Sequence, residues 1–160
     1  MPAIRPTRLA LPAFALMAAM GLAACNSGPV GGGALAPGLS ARMDAPGATL
    51  DRAQAVDIVN AYRATNGLAP LTHDNGLDGT AQALVNQYAA TGTAPKTPEG
   101  IASMKLSAGY ATFAETFSGW RNNPADAAGL TVPNATKAGV AVSYNPGSAY
   151  GIYWVLVLDD

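Results

Sequence analysis

Residues 138–160, AGVAVSYNPGSAYGIYWVLVLDD, decide the fold. Ala138, Val140, Val142 and Tyr144 alternate with Gly139, Ala141 and Ser143. A period of two predicts a strand over 138–144 with one apolar face. Asn145-Pro146-Gly147-Ser148 is turn chemistry. The run Tyr150 to Leu158 is apolar on both faces, with Ile152, Trp154, Leu156 and Leu158 pointing one way and Tyr153, Val155 and Val157 the other. Such a strand belongs inside a sheet that is covered above and below. The covering layers must be helices, so the stretch predicts an α+β layered domain with a C-terminal hairpin.

Upstream, the helices are present as apolar stripes. Leu50 to Asn66 places Ala55, Ile58, Val59 and Tyr62 at i, i+3, i+4 and i+7. Thr49 or Asp51 can cap its start, and Asn66-Gly67 supplies a left-handed stop. A loop follows, LAPLTHDNG. Leu77 to Ala90 predicts a second helix, with Leu77, Ala81, Leu84, Val85 and Tyr88 on one face and Gly92 closing it. TGTAPKTPEG reads as a loop, and IASMKLSAG as a short strand or irregular chain. Phe113 to Trp120 predicts a third helix, with Phe113, Phe117 and Trp120 at i, i+4 and i+7. Thr112 and Glu115 have the spacing of a capping box, and Pro124 lies beyond the helix end.

The N-terminus reads as an address. Arg5 and Arg8 precede a charge-free stretch, Leu9 to Ala24, that is shorter than the roughly 20 residues a membrane-spanning helix needs. Its length and flanks fit a signal peptide over residues 1–24. The stretch ends Leu22-Ala23-Ala24-Cys25, which resembles the bacterial lipobox, and Cys25 is the only cysteine. The expectation is a lipid attached at Cys25 that anchors the protein in the cell envelope. Each buried methylene of such a lipid contributes about 0.8 kcal/mol. Asn26 follows the cysteine, and the expected destination is the outer membrane, facing the periplasm or the surface. Residues 25–48, rich in Gly, Pro, Ala and Ser, read as a flexible tether. The alternative is that part of this stretch packs on the domain as an irregular arm. That leaves 49–160 as one folded domain.

Composition excludes several function classes. Nine basic and ten acidic residues give a net charge of −1, and removing Arg5 and Arg8 with the leader takes it to −3. No basic surplus is available to neutralise phosphates, so no nucleic-acid partner is expected. One cysteine and one histidine exclude an intrachain disulfide, a multi-cysteine zinc site and any two-histidine site.

From Ala53 to Leu158 the chain resembles the CAP superfamily, the SCP-like domain of cysteine-rich secretory, antigen-five and pathogenesis-related proteins. IVNAYRATNGLAPLTHDNGLDGTAQALVNQYAATG looks like the family's opening pair of helices, its pattern met by Arg63, Gly67, Leu71, Asp74, Leu77 and Ala81. SAGYATFAETFSGWRNNPADAAGL looks like the bacterial stretch whose helix ends in a Trp followed by Ser-Pro and His. The resemblance implies an α-β-α sandwich with an antiparallel sheet. It also implies a cleft of two histidines and one or two acids, often binding a metal. Here Asp126 stands where the second histidine is expected, Pro95 near the first, and Met104-Lys105 in the register of the cleft Glu-Asn.

Imidazoles bind metals and move protons near neutral pH. A lone carboxylate, ionised at pH 7, does neither well. The cleft of Asp126, Glu115 and Met104 therefore reads as degenerate, with no catalytic residue, metal or cofactor expected. Glu115 has the plainer role of capping. His73 with its neighbour Asp74 reads as a solvated loop histidine, and Ser107, Ser118 and Ser143 have no histidine partner in any family register. Tyr110, Trp120, Tyr144, Tyr150, Tyr153 and Trp154 read mostly as core by their spacing. The leading expectation is a non-enzymatic envelope protein that binds a lipid, a glycan or an envelope partner. A carboxylate-based hydrolase or metal enzyme, and a purely structural lipoprotein, stand as alternatives.

Overall fold

The structure, a computed structural model, describes residues 35–160. The expected signal peptide, Cys25 and the first part of the tether lie outside the described residues. The elements run α1 (Pro37–Ser40), α2 (Arg52–Thr65), β1 (Thr72–His73), α3 (Asn75–Thr91), β2 (Ser103–Ala108), α4 (Phe113–Asn122), α5 (Pro124–Leu130), β3 (Lys137–Tyr144) and β4 (Ile152–Asp159). The sheet order is β1-β3-β4-β2. The β3–β4 hairpin and the β2–β4 pair are antiparallel, as expected, whereas β1 joins the edge of β3 in parallel.

Each of the seven side chains from Ile152 to Leu158 is 3% exposed or less. Ile152, Trp154, Leu156 and Leu158, with Ala138 and Val140 of β3, pack against Ala55, Val56 and Val59 of α2 and Phe113, Phe117 and Trp120 of α4. Tyr153, Val155 and Val157, with Ala141, pack against Ala81, Val85 and Ala89 of α3. The result is the expected α-β-α sandwich. Burying each such large apolar side chain contributes about 1.5–3 kcal/mol. The two indoles pin the layers by donating to main-chain carbonyls, Trp120 to Leu106 (2.9 Å) and Trp154 to Tyr110 (2.8 Å).

The helix starts follow their caps. Asp51 accepts from the Gln54 amide and Asp74 from the Leu77 amide. Gly92 ends α3 at φ +66°, a left-handed geometry that glycine adopts without strain. The buried face of α2 is rotated from the expected stripe, because Arg63 is fully buried while Ile58 and Tyr62 are only partly so. The Arg63 guanidinium donates to four carbonyl oxygens, those of Ala69 (3.0 Å), Leu130 (3.1 Å), Val132 (3.0 Å) and Ala135 (3.2 Å). Burial lowers its pKa from the usual arginine value, yet an arginine stays charged.

Two expectations need correction. Residues 35–48 are not a free tether. Leu39 and Met43 enter the core, the Met43 amide donates to the Ala111 carbonyl, and the Gly38 amide donates to the Gln54 side chain. Thr72-His73 is a strand and not loop, since the Thr72 amide donates to the Thr136 carbonyl and the Asp74 amide to the Ala138 carbonyl. Pro124 lies beyond the end of α4, as expected, and there it opens a further short helix, α5, with Asn123 capping the Ala125 and Asp126 amides. A proline at the first helical position gives up an amide that would be unpaired anyway.

The start of α3 lies directly on β3 at Gly139, where a Cβ would meet the Leu77 carbonyl carbon and the Asp78 nitrogen. Neither neighbour is a flexible side chain. Gly139→Ala is expected to lower stability by about 1–3 kcal/mol, read as a reduced urea midpoint at unchanged slope. An unchanged midpoint would show that α3 does not sit on the strand in this way.

Candidate functional site

α4 divides its surface between core and solvent. Phe113, Phe117 and Trp120 face the sheet, while Ala114, Glu115, Ser118 and Arg121 occupy the flank. Its start is held by the expected capping box. The Glu115 amide donates to Thr112 Oγ1 (3.2 Å), and Glu115 Oε2 accepts from the Thr112 amide and the Thr112 hydroxyl (both 3.0 Å).

The residues aligned with the implied cleft do not assemble. Lys105 and Met104 alternate along β2, so they face opposite sides of the sheet. Met104 packs into the α3 layer. Lys105 Nζ pairs with Asp126 Oδ1 at 3.3 Å, with side chains 13% and 33% exposed. Gly129 permits this path, because a Cβ there would collide with Lys105 Cε and Nζ. Pro95 is buried in the loop between α3 and β2. Glu115 sits at the other end of α4 from the Asn123-Pro124 corner that leads to Asp126. The donor set does not fit a metal: an ammonium already occupies Asp126, and among the described residues no three His, Cys, Asp or Glu side chains gather.

His73 is not the solvated loop residue that was expected. Its Nε2 lies 2.6 Å from Asp78 Oδ2, while Arg52 approaches the same oxygen at 3.4 Å. Asp78 Oδ1 accepts the Val140 amide (2.9 Å), and the carboxylate is buried. β1 is too short to reach Val140, so the Asp78 side chain takes over where strand pairing ends. This is an edge-sealing role, and Asp74 instead caps α3. The i to i+5 spacing of His73 and Asp78 across a strand–helix corner has no periodic signature in sequence.

Open space lies on the flank of α4. A groove of about 720 Å³ runs between α2 and α4, lined by Leu35, Ile58, Ala61, Tyr62, Ala114 and Phe117, with Thr65, Glu115, Ser118 and Arg121 along its rim. Tyr62 meets Phe117 edge to face at 6.0 Å, and the Arg121 guanidinium lies 5.9 Å from the Phe117 ring centre. A second hollow of about 600 Å³ adjoins it, bordered by Tyr110, Gly119, Asn122 and Asn123 and sharing Glu115 and Ser118. The groove leaves no mark in the sequence because Ile58 and Tyr62 carry the same helical period as true core. Of the aromatics whose spacing reads as core, Trp120, Tyr153 and Trp154 are buried, whereas Tyr110 and Tyr150 are exposed.

The family model described as Cysteine-rich secretory protein family, CAP, matches residues 56–158. No curated protein matches the sequence significantly. Among solved structures the chain is similar to MpPR-1i, with 20% identity and TM-score 0.54, over 67% of this chain and 84% of that one. It is also similar to an extracellular protein containing an SCP domain from Bacillus anthracis, with 16% identity and TM-score 0.55, over 68% of this chain and 40% of that one. A cysteine-rich secretory protein from Staphylococcus aureus aligns with 11% identity and TM-score 0.50, over 69% of this chain and 40% of that one. Likeness at these identities is likeness of fold.

Because the Thr112–Glu115 box positions the start of α4, Glu115→Ala is expected to cost about 1 kcal/mol. Thr112→Ala should cost a similar amount, and the double variant less than the sum, since both serve one motif. Chemical denaturation of the three variants checks this; strict additivity would show that the two residues act separately.

Proposed function

The chain belongs to the cysteine-rich secretory protein (CAP) family, and from that premise we propose that it is an envelope lipoprotein which binds a single-chain amphiphile and catalyses nothing. The observation that carries this reading is the apolar groove between α2 and α4. Its volume lies within the range of small-molecule sites, about 300–1,000 Å³, and its walls are hydrocarbon and aromatic with polar groups only at the rim. An alkyl chain laid along Ile58, Ala61, Tyr62, Ala114 and Phe117 gains the hydrophobic term without unpairing any buried polar group. The non-catalytic half of the reading is supported by the ion pair of Lys105 with Asp126, which leaves that carboxylate neither a metal ligand nor an open base.

The proposed anchor is a diacylglyceryl group on Cys25, placing the protein in a bacterial envelope, at the outer membrane. Among the described residues no helix is long and apolar enough to cross a membrane. Radiolabelled palmitate should enter the parent protein and not Cys25→Ser; an unlabelled parent protein would refute the anchor.

The groove is tested by titrating purified Cys25→Ser protein with dodecanoate, followed by calorimetry. Saturable one-to-one binding is expected. Ala61 is exposed on the groove wall, so Ala61→Trp should plug the groove and weaken binding at least 10-fold while the unfolding midpoint stays unchanged. Absence of saturable binding, or binding indifferent to Ala61→Trp, would overturn the reading.

A further inference from the structure

The geometry points to a polyhydroxylated, uncharged head group, a sugar, for the amphiphile held by the α2–α4 groove, so that the ligand class is a glycosylated lipid. This rests on the acyl-chain reading above. The apolar groove and the second hollow share Glu115 and Ser118, so one molecule can pass from the first into the second across α4. The two halves differ in chemistry. The first is walled by hydrocarbon. The second presents an aromatic face, a hydroxyl, two amides and one carboxylate, and its lining holds no cation.

That set matches a sugar ring. The C–H face of a pyranose is apolar and slightly positive, and it lies favourably on the negative face of an aromatic ring. Its edge of hydroxyls needs donors and acceptors together. Tyr110 supplies the face. It is 44% exposed, and its ring lies over Gly119, where a Cβ would come within 3.2 Å of Tyr110 Cε2. Glycine at 119 thus lets the ring rest on α4 and hold one orientation. Glu115 uses Oε2 in the capping box, and no described residue engages its Oε1, an acceptor on the shared saddle. Asn122 Nδ2 reaches Ser118 Oγ at 3.4 Å, leaving the serine hydroxyl hydrogen and the Asn122 carbonyl to a ligand. Asn123 uses its Oδ1 to cap α5, which turns its amide hydrogens outward as donors.

Exposure points to the same place. Of the three large apolar side chains exposed among the described residues, Leu35 and Tyr110 stand on these two hollows, and only Tyr150 does not. Exposed apolar side chains on the margin of a groove are what a binding face presents. The competing head group is an anion, held by Arg121 on the groove rim.

The test keeps the tail constant and varies the head. Dodecyl maltoside, dodecylphosphocholine and dodecanoate are each titrated, below micelle formation, against the purified Cys25→Ser protein and its Tyr110→Ala, Tyr110→Phe and Arg121→Gln variants. The maltoside is expected to bind at least 5-fold more tightly than the other two. Tyr110→Ala should abolish that preference and leave dodecanoate affinity unchanged, Tyr110→Phe should keep it, and Arg121→Gln should not alter it. Equal affinity for the three heads, or a maltoside preference that survives Tyr110→Ala, overturns the sugar assignment while the acyl groove stands. Tightest binding of dodecanoate, lost in Arg121→Gln, replaces the sugar with an anion. Failure of all three ligands to bind removes the groove reading and this assignment together.

Discussion

Seven consecutive side chains of β4, Ile152 to Leu158, must leave water, and they point alternately to opposite sides of the sheet. A single helical layer buries only half of them. The second layer is therefore forced, and it fixes much else. β4 must lie inside the sheet, so β3 and β2 flank it. α3 must cover one face alone, because α2 and α4 are both committed to the other. With one helix covering a whole face, α3 has to sit close, and Gly139 is where its first turn meets the strand.

Such a sandwich leaves long crossings that follow no ladder, and buried charge organises one of them. Arg63 faces four carbonyl oxygens and no carboxylate. Its planar fork holds 69 and the segment 130–135 together in a way that a lysine's point charge cannot. Asn60, one turn earlier on α2, exchanges two hydrogen bonds with the main chain of Leu71 (2.9 and 2.7 Å). The C-terminal half of α2 thus acts as a polar clamp, and the chain leaves it already aligned to enter β1 beside β3.

These facts explain what could be read from sequence. The hairpin faces, the three long helices, the Gly92 stop and the Thr112–Glu115 box were legible because each rests on a period or a local hydrogen-bond motif, whereas the Asp74 cap of α3 was not read. What was not legible rests on partners far along the chain. The arm at 35–48 looks like linker because Leu39 and Met43 alone of its side chains are buried, and two buried side chains make no period. A two-residue strand has no alternation to detect. Pro124 ends or begins a helix depending on whether its neighbours cap it, and Asn123 does. For the site, the single histidine was visible at once, but not that Lys105 and Met104, adjacent in sequence, would face opposite sides of the sheet. The groove was hidden for the opposite reason: its wall residues look like core until the second helix is in place.

The division of labour along α4 follows from the same geometry. Residues on β2 alternate between the two layers, and the ammonium that strand sends toward α5 is already met by Asp126. A ligand there would have to displace a partly desolvated ion pair and compensate both charges. On the outer flank of α4 no such pair has to be broken. The helix is anchored from below by three aromatic side chains and at its start by the Thr112–Glu115 box, so its outward residues are fixed in space without being used up in holding it. Preorganised and uncommitted groups are the ones that can bind at low entropic cost. In this chain they lie on α4, away from the positions where the family's polar cleft is expected.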